Sequence, residues 1–129
     1  MKIENIKFKA KSIYNGEWVY GDLLHQSDGT HIYMGKSEGG HTLCPRVDPS
    51  TVCQFTGLKD CECEEIWEGD VLLDTDSGSL YTVMHSDYGA FFIRKNGTVD
   101  DDMYLFELED EDKCIAFFKV VGNKFDKEK

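Results

Sequence analysis

The chain has 129 residues, with 14 Lys and Arg against 25 Asp and Glu and a formal net charge of −11. That length holds one ordinary domain or two very small ones sharing an interface and excludes a large multidomain enzyme. The charge argues against a direct grip on nucleic acid, which needs a cationic stripe to displace counterions. Apolar runs such as Val71–Leu73 and Ile115–Phe118 fall far short of the roughly 20 residues that span a bilayer, so no membrane partner is expected. With 40% hydrophobic and 12% aromatic residues, the chain can build a core. The opening stretch alternates apolar and charged residues and shows no greasy block behind a basic one, so a cytoplasmic location is expected.

In chain order, Ile3, Ile6, Phe8 and Ala10 alternate imperfectly with Lys7, Lys9 and Lys11, which predicts a strand with one wet face. Asn15-Gly16 is a hairpin signal ahead of Trp18–Tyr20, and Ser27-Asp28-Gly29 supplies a second turn before His31–Met34. Gly35 to Gly40 reads as a mobile loop, with a short strand at Thr42–Cys44. Pro45 and Pro49 belong at edges or connections. Ser50–Leu58 predicts a strand closed by Gly57, with Val52, Gln54 and Thr56 on one face and Cys53 and Phe55 on the other. After a charged link over Lys59–Glu65, the chain turns on Gly69 into a strand over Val71–Asp74, an opening common in SH3-like barrels. Ser77-Gly78 and Asn96-Gly97 are turns around strands at Leu80–Met84 and Gly89–Arg94. Tyr104–Phe106 and Cys114–Val121 complete the set, and Asn123–Lys129 reads as a frayed polar tail.

No stretch of twelve residues carries a 3.6-residue period, so the fold is expected to be all-β. We expect two small packed β-barrel-like subdomains, residues 1–60 and an SH3-like 61–129, each too small for a comfortable core alone.

Five cysteines, at 44, 53, 61, 63 and 114, make an odd set that reads as reduced thiols and not as a secreted disulfide scaffold. Cys53 and Cys114 are expected to pack, and Cys61 and Cys63 to be incidental turn residues, since C-x-C spacing suits structural zinc poorly. His25 and His31 flank the Asp28-Gly29 turn, and with Asp28 they could form a weak divalent metal site. Asp74–Gly78 is rejected as a calcium loop because its twelfth position is His85 in place of glutamate. No catalytic motif or phosphate-cradling glycine loop is present, so neither catalysis nor a cofactor is expected. The acidic run Asp100, Asp101, Asp102, Glu109, Asp110, Glu111 and Asp112 is the candidate interaction surface, read either as a solvated loop or as a patch for a basic partner. Tyr88, Phe91 and Phe92 with Arg94 and Lys95 could instead stack on and clamp a strand of nucleic acid.

The run Asp48–Asp60 followed by Glu65–Val71 resembles the signature of the YopX family of phage and prophage proteins. Ile6–Ala10 and Trp18–Asp22 agree with that family's start, and the similarity covers most of residues 6–73. The chain departs from the pattern at Asp60–Glu64, where the family tends to carry a glycine-containing polar turn. The resemblance implies a β-rich protein of phage or prophage origin working in the bacterial cytoplasm, and it supplies no catalytic residues. Within the shared residues, Gly57 and Gly69 suit turns, and Asp60 and Asp70 can cap turns through their carboxylates. The alternative reading of those residues is a binding edge made by Gln54, Thr56, Asp60 and Asp70. The expected function is a non-catalytic accessory role through contacts with a host or phage protein or through self-association as a homo-oligomer. The alternatives are a nucleic-acid-associated regulatory module and a DNA-mimic modulator of a host protein.

Overall fold

The computed structural model describes residues 3–99, 102–110 and 112–126. The chain is all-β, with twelve strands among the described residues: β1 (Phe8–Lys11), β2 (Trp18–Gln26), β3 (Gly29–Tyr33), β4 (Gly35–Lys36), β5 (Thr42–Leu43), β6 (Cys53–Lys59), β7 (Glu65–Trp67), β8 (Asp70–Asp74), β9 (Leu80–His85), β10 (Phe91–Lys95), β11 (Asp102–Tyr104) and β12 (Phe118–Asn123). Helix occurs among the described residues only as 3-10 turns at Ile3–Asn5, Pro49–Thr51 and Leu105–Glu107. The chain divides into two compact units, 1–55 and 56–129, with β6 running through the boundary.

In the first unit, β1 lies between β2 and the start of β6, and β3 lies on the far side of β2. Antiparallel registers run from Phe8↔Gly21 to Lys11↔Trp18 and from Asp22↔Tyr33 to Gln26↔Gly29. The outer edge of β3 is covered by the following segment: Ile32 N donates to Pro45 O (3.2 Å) and Val47 N to Thr30 O (2.9 Å). Ala10, Ile32 and Val47 form a small core, supported by Phe8, Val19, Leu23 and Val52. The lysine face of β1 is not simply wet. Lys9 is buried along its stem, and its ammonium sits 4.4 Å from the centre of the Trp18 ring, which Lys11 shares at 5.0 Å. A long stem can cover apolar surface while the charge meets an aromatic face. The short strand expected from Thr42 is present, and Gly35–Gly40, expected as a mobile loop, begins instead as its partner strand, pairing Gly35 with Leu43 and Lys36 with Thr42 in a small hairpin.

In the second unit, five strands form an open antiparallel sheet in the order β11-β10-β9-β8-β12. The barrel expectation is thereby corrected: β12 returns to β8, so β11 and β12 remain edges and neither sheet closes on itself. Leu72, Val83, Ile93, Leu105 and Ile115 are almost wholly buried in its core, and each contributes roughly 1.5–3 kcal/mol from burial. Tyr81 meets Phe118 edge to face at 5.5 Å. A bulge at Val121 shifts the β12 register between Val120↔Leu72 and Gly122↔Val71. The predicted strand at 104–106 starts earlier, because the chain turns helical at Leu105 to bury that side chain. The strand predicted from Cys114 begins only at Phe118, after Phe117 takes a left-handed conformation at φ 70°.

Two buried carboxylates hold this unit's connections. Asp60 Oδ1 accepts from Glu62 N and Glu64 N, each at 2.8 Å, and its Oδ2 accepts from Val120 N of β12 at 2.8 Å. Asp70 Oδ2 accepts from Trp67 N at 2.8 Å, while Oδ1 accepts from Asn123 Nδ2 at 2.9 Å. Asn123, expected to open a frayed tail, is an anchor, and Lys124 N goes on to donate to Gly69 O at 2.8 Å. The predicted tail residues 127–129 lie outside the described residues.

Candidate binding face of the second unit

Strand alternation sends Val83, Ile93, Phe91 and Met103 toward the core and leaves Met84, Phe92 and Tyr104 aligned across the opposite face of β9, β10 and β11. The next row on that face is Thr82, Arg94 and Asp102. Phe92 meets Tyr104 edge to face at 6.5 Å, and Tyr104 stacks on Phe106 at 5.5 Å. Arg94 lies over Phe92 at 5.5 Å and grips Asp102 with both arms, Nε to Oδ1 at 2.7 Å and Nη2 to Oδ2 at 3.0 Å. The guanidinium's hydrogen bond, more than its charge alone, holds the Asp102 carboxyl below the usual carboxylate range.

A cleft of about 360 Å³ opens where this face meets the β9–β10 turn, lined by His85, Ser86, Asp87, Tyr88, Phe92, Asp102 and Tyr104. Ser86 shapes the turn: its Oγ accepts from Tyr88 N (3.3 Å) and Ala90 N (3.2 Å), and Gly89 supplies the left-handed φ of 85°. Tyr88 is thereby raised to 94% exposure at the lip. His85 packs its ring edge-on against Phe91 at 5.0 Å. The cleft therefore offers three aromatic walls and two carboxylates, one of them already neutralised by Arg94.

The acidic run behaves differently from a free array of charge. Asp100, Asp101 and Glu111 lie outside the described residues. Asp102 is bound by Arg94, and Glu109 pairs with Lys113 at 3.3 Å. Asp110 Oδ1 accepts from Asp112 N (2.8 Å) and Cys114 N (3.1 Å), folding its own turn, and Asp112 stays exposed. The proposed edge around Asp60 is likewise spent on structure, since Asp60, Asp70 and Thr56 are buried and Thr56 Oγ1 donates to Ile66 O at 2.7 Å.

His25 and His31 do not converge. His25 sits opposite Thr30 and His31 opposite Leu24, so the period of two puts them on opposite faces of the hairpin. Among the described residues no group of three His, Cys, Asp or Glu side chains is placed to hold a metal ion. His31 is instead a clamp, with Nδ1 2.9 Å from Cys44 O and Nε2 2.9 Å from Asp28 Oδ1. Both partners are acceptors, so both ring nitrogens must donate and the imidazolium is the form the fold holds. The Cys44 carbonyl first, and the Asp28 carboxylate second, raise the His31 pKa above its ordinary 6.5, against smaller opposing effects of desolvation and, last, of Arg46. The hydrogen bond to His31 lowers Asp28 below 3.8. His31 therefore contributes stability fully below pH 6.5, and that contribution is lost as pH rises through its raised value. Asp28 contributes above 3.8 and loses its share as pH falls through its lowered value. Thermal melts across pH are expected to show the first unit weakening on the alkaline side, and His31→Gln to abolish that slope. An unchanged slope in the variant would assign it to another group.

The fold is that of a small all-β protein with an aromatic cleft on one face of an open sheet. The chain belongs to the YopX family: the family profile described as YopX protein matches residues 4–128, nearly its whole length. Comparison with curated proteins gives no significant match.

Proposed function

We propose that this YopX-family chain is a non-catalytic accessory protein of phage or prophage origin, acting in the bacterial cytoplasm through protein contacts, with the cleft at Tyr88, Phe92 and Tyr104 as its contact surface. The observation that supports this reading is the composition of the cleft. Exposed aromatic side chains around a concavity, rimmed by a paired Arg and Asp, are the anatomy of an interface centre. Its position adds support, because β11 is an edge of the sheet and could accept another strand. The opposite edge is occupied: Cys61 N donates to Phe118 O (3.0 Å) and Asp60 takes Val120 N, which blunts β12.

The second reading, single-stranded nucleic acid stacked on the same rings, is favoured by Tyr88 and Phe92 but opposed by the commitment of Arg94 to Asp102 and by the net charge of −11. The test is affinity purification of the tagged protein from its bacterial host at graded salt, beside a Tyr88→Ala/Tyr104→Ala variant, with mass spectrometry and light scattering of what stays bound. Wild type is expected to retain a protein partner or a second copy, and the variant to bind it about 30-fold or more weaker, the loss of an interface anchor. A partner held equally by both would remove the cleft from the reading. Nucleic acid retained at low salt and released as salt rises would establish the second reading in its place.

A further inference from the structure

The aromatic face of the second unit already holds one guanidinium. Arg94 lies over the Phe92 ring at 5.5 Å and fills both oxygens of Asp102, so that ring, cation and carboxylate form a single unit. A flat guanidinium suits both partners at once, since its face meets the π-system while its fork matches the carboxylate. The lip of the cleft carries another ring and another carboxylate. Tyr88 is 94% exposed, and Asp87, its neighbour in the β9–β10 turn, also lines the cleft. The Asp87 side chain is exposed and has no hydrogen bond or ion pair among the described residues.

The chemistry of the cleft selects among occupants. Its volume of about 360 Å³ lies at the lower end of the range for ligand pockets and suits one long side chain. An apolar side chain would cover the Asp87 carboxylate and leave it unpaired, which is costly. An acidic one would be repelled by Asp87 and by a chain of net charge −11. A cationic side chain gains from the rings and from Asp87, and the same net charge draws a basic partner in from a distance.

We propose that the cleft takes an arginine side chain from an exposed basic segment of a partner protein, its guanidinium lying on the Tyr88 ring and pairing with the Asp87 carboxylate. The assignment rests on the reading of this face as a protein-contact surface and names the chemistry of its partner. Tyr104 closes the far side of the cleft against the arginine stem, whose methylene groups cover apolar surface as the head pairs.

The test titrates the full chain at physiological salt with a short acetylated peptide alternating arginine with serine, beside its citrulline and leucine counterparts. Citrulline keeps the shape of arginine and removes the charge. The arginine peptide is expected to bind about tenfold or more tighter than the citrulline one. Tyr88→Ala and Asp87→Asn are each expected to weaken it about fivefold, while Tyr88→Phe keeps the ring and the affinity. Asp76→Asn makes the same charge change at an exposed residue of the β8–β9 turn and is expected to leave binding within about twofold of the parent. Equal losses at Asp87 and Asp76 would overturn the assignment by reducing it to diffuse attraction, and so would equal binding of arginine and citrulline or no binding of the arginine peptide. A leucine peptide that binds more tightly than the arginine one, and is released by Tyr88→Ala, would overturn the cationic occupant while leaving the contact surface standing.

Discussion

Asp60→Ala is expected to cost the second unit about 4 kcal/mol, measured as a loss in the free energy of urea unfolding. The side chain is 0% exposed, and its two oxygens accept three backbone N–H bonds, from Glu62, Glu64 and Val120. Alanine would leave those donors facing a void that is too polar for a methyl group and too enclosed for free hydration. A hydrogen bond to a charged acceptor is worth about 1.5–3 kcal/mol, and the three are not additive because they share one carboxylate. Asp60→Asn keeps one oxygen and turns the other into a donor, so it can restore the 62–64 turn or the tie to β12, but not both. Its cost is expected to fall between wild type and alanine. An alanine variant within about 0.5 kcal/mol of the parent would show that water replaces the carboxylate and that Asp60 does not organise the unit.

Gly21→Ala is expected to be of similar size, about 3 kcal/mol, but confined to the first unit. A Cβ at Gly21 would run into the carbonyl oxygen of Tyr33 on β3, and its next neighbours are the Tyr33 carbonyl carbon at 2.9 Å and Ile32 Cγ2 at 3.2 Å. Two of these are backbone atoms of the paired strand, so no side-chain rotation relieves the contact. The strand would have to move, taking Ile32 out of the small core it shares with Ala10 and Val47. Amide exchange is the direct readout: protection of β2 and β3 amides is expected to drop in the variant while β8 to β10 stay protected. Undiminished protection in β3 would mean that the hairpin has slack the geometry does not show.

Turns and strand existence were the legible part of this sequence, for a physical reason. Asn15-Gly16, Gly29, Gly69, Ser77-Gly78 and Asn96-Gly97 mark places where the backbone needs a conformation few residues accept, and the glycine of each falls at positive φ. The capping roles of Asp60 and Asp70 were legible in the same way, since a carboxylate beside a turn finds backbone donors. The limits of β6 were not, because Pro49 and Ser50 suit a 3-10 turn as well as a strand, and the Asp48 carboxylate accepts Ser50 N (3.0 Å) to select the turn. Barrel closure was illegible because it depends on which strand β12 joins, a pairing that no local pattern encodes. The cleft was visible only in part. Tyr88 and Phe92 stood out as aromatics, but Tyr104 joined them through the β10–β11 register.

The strand order of the second sheet also sets a schedule for its assembly. From β8 to β11 each strand pairs with the one just made, so these contacts close short loops, whereas β12 must come back past three strands to reach β8. Asp60 receives its third donor, and Asp70 its bond from Asn123, only from that last strand. During synthesis on the ribosome, two carboxylates that end up buried therefore remain hydrated while the meander forms. Docking of β12 is the event that takes them out of water, which makes the final strand the one that commits the unit to its native state.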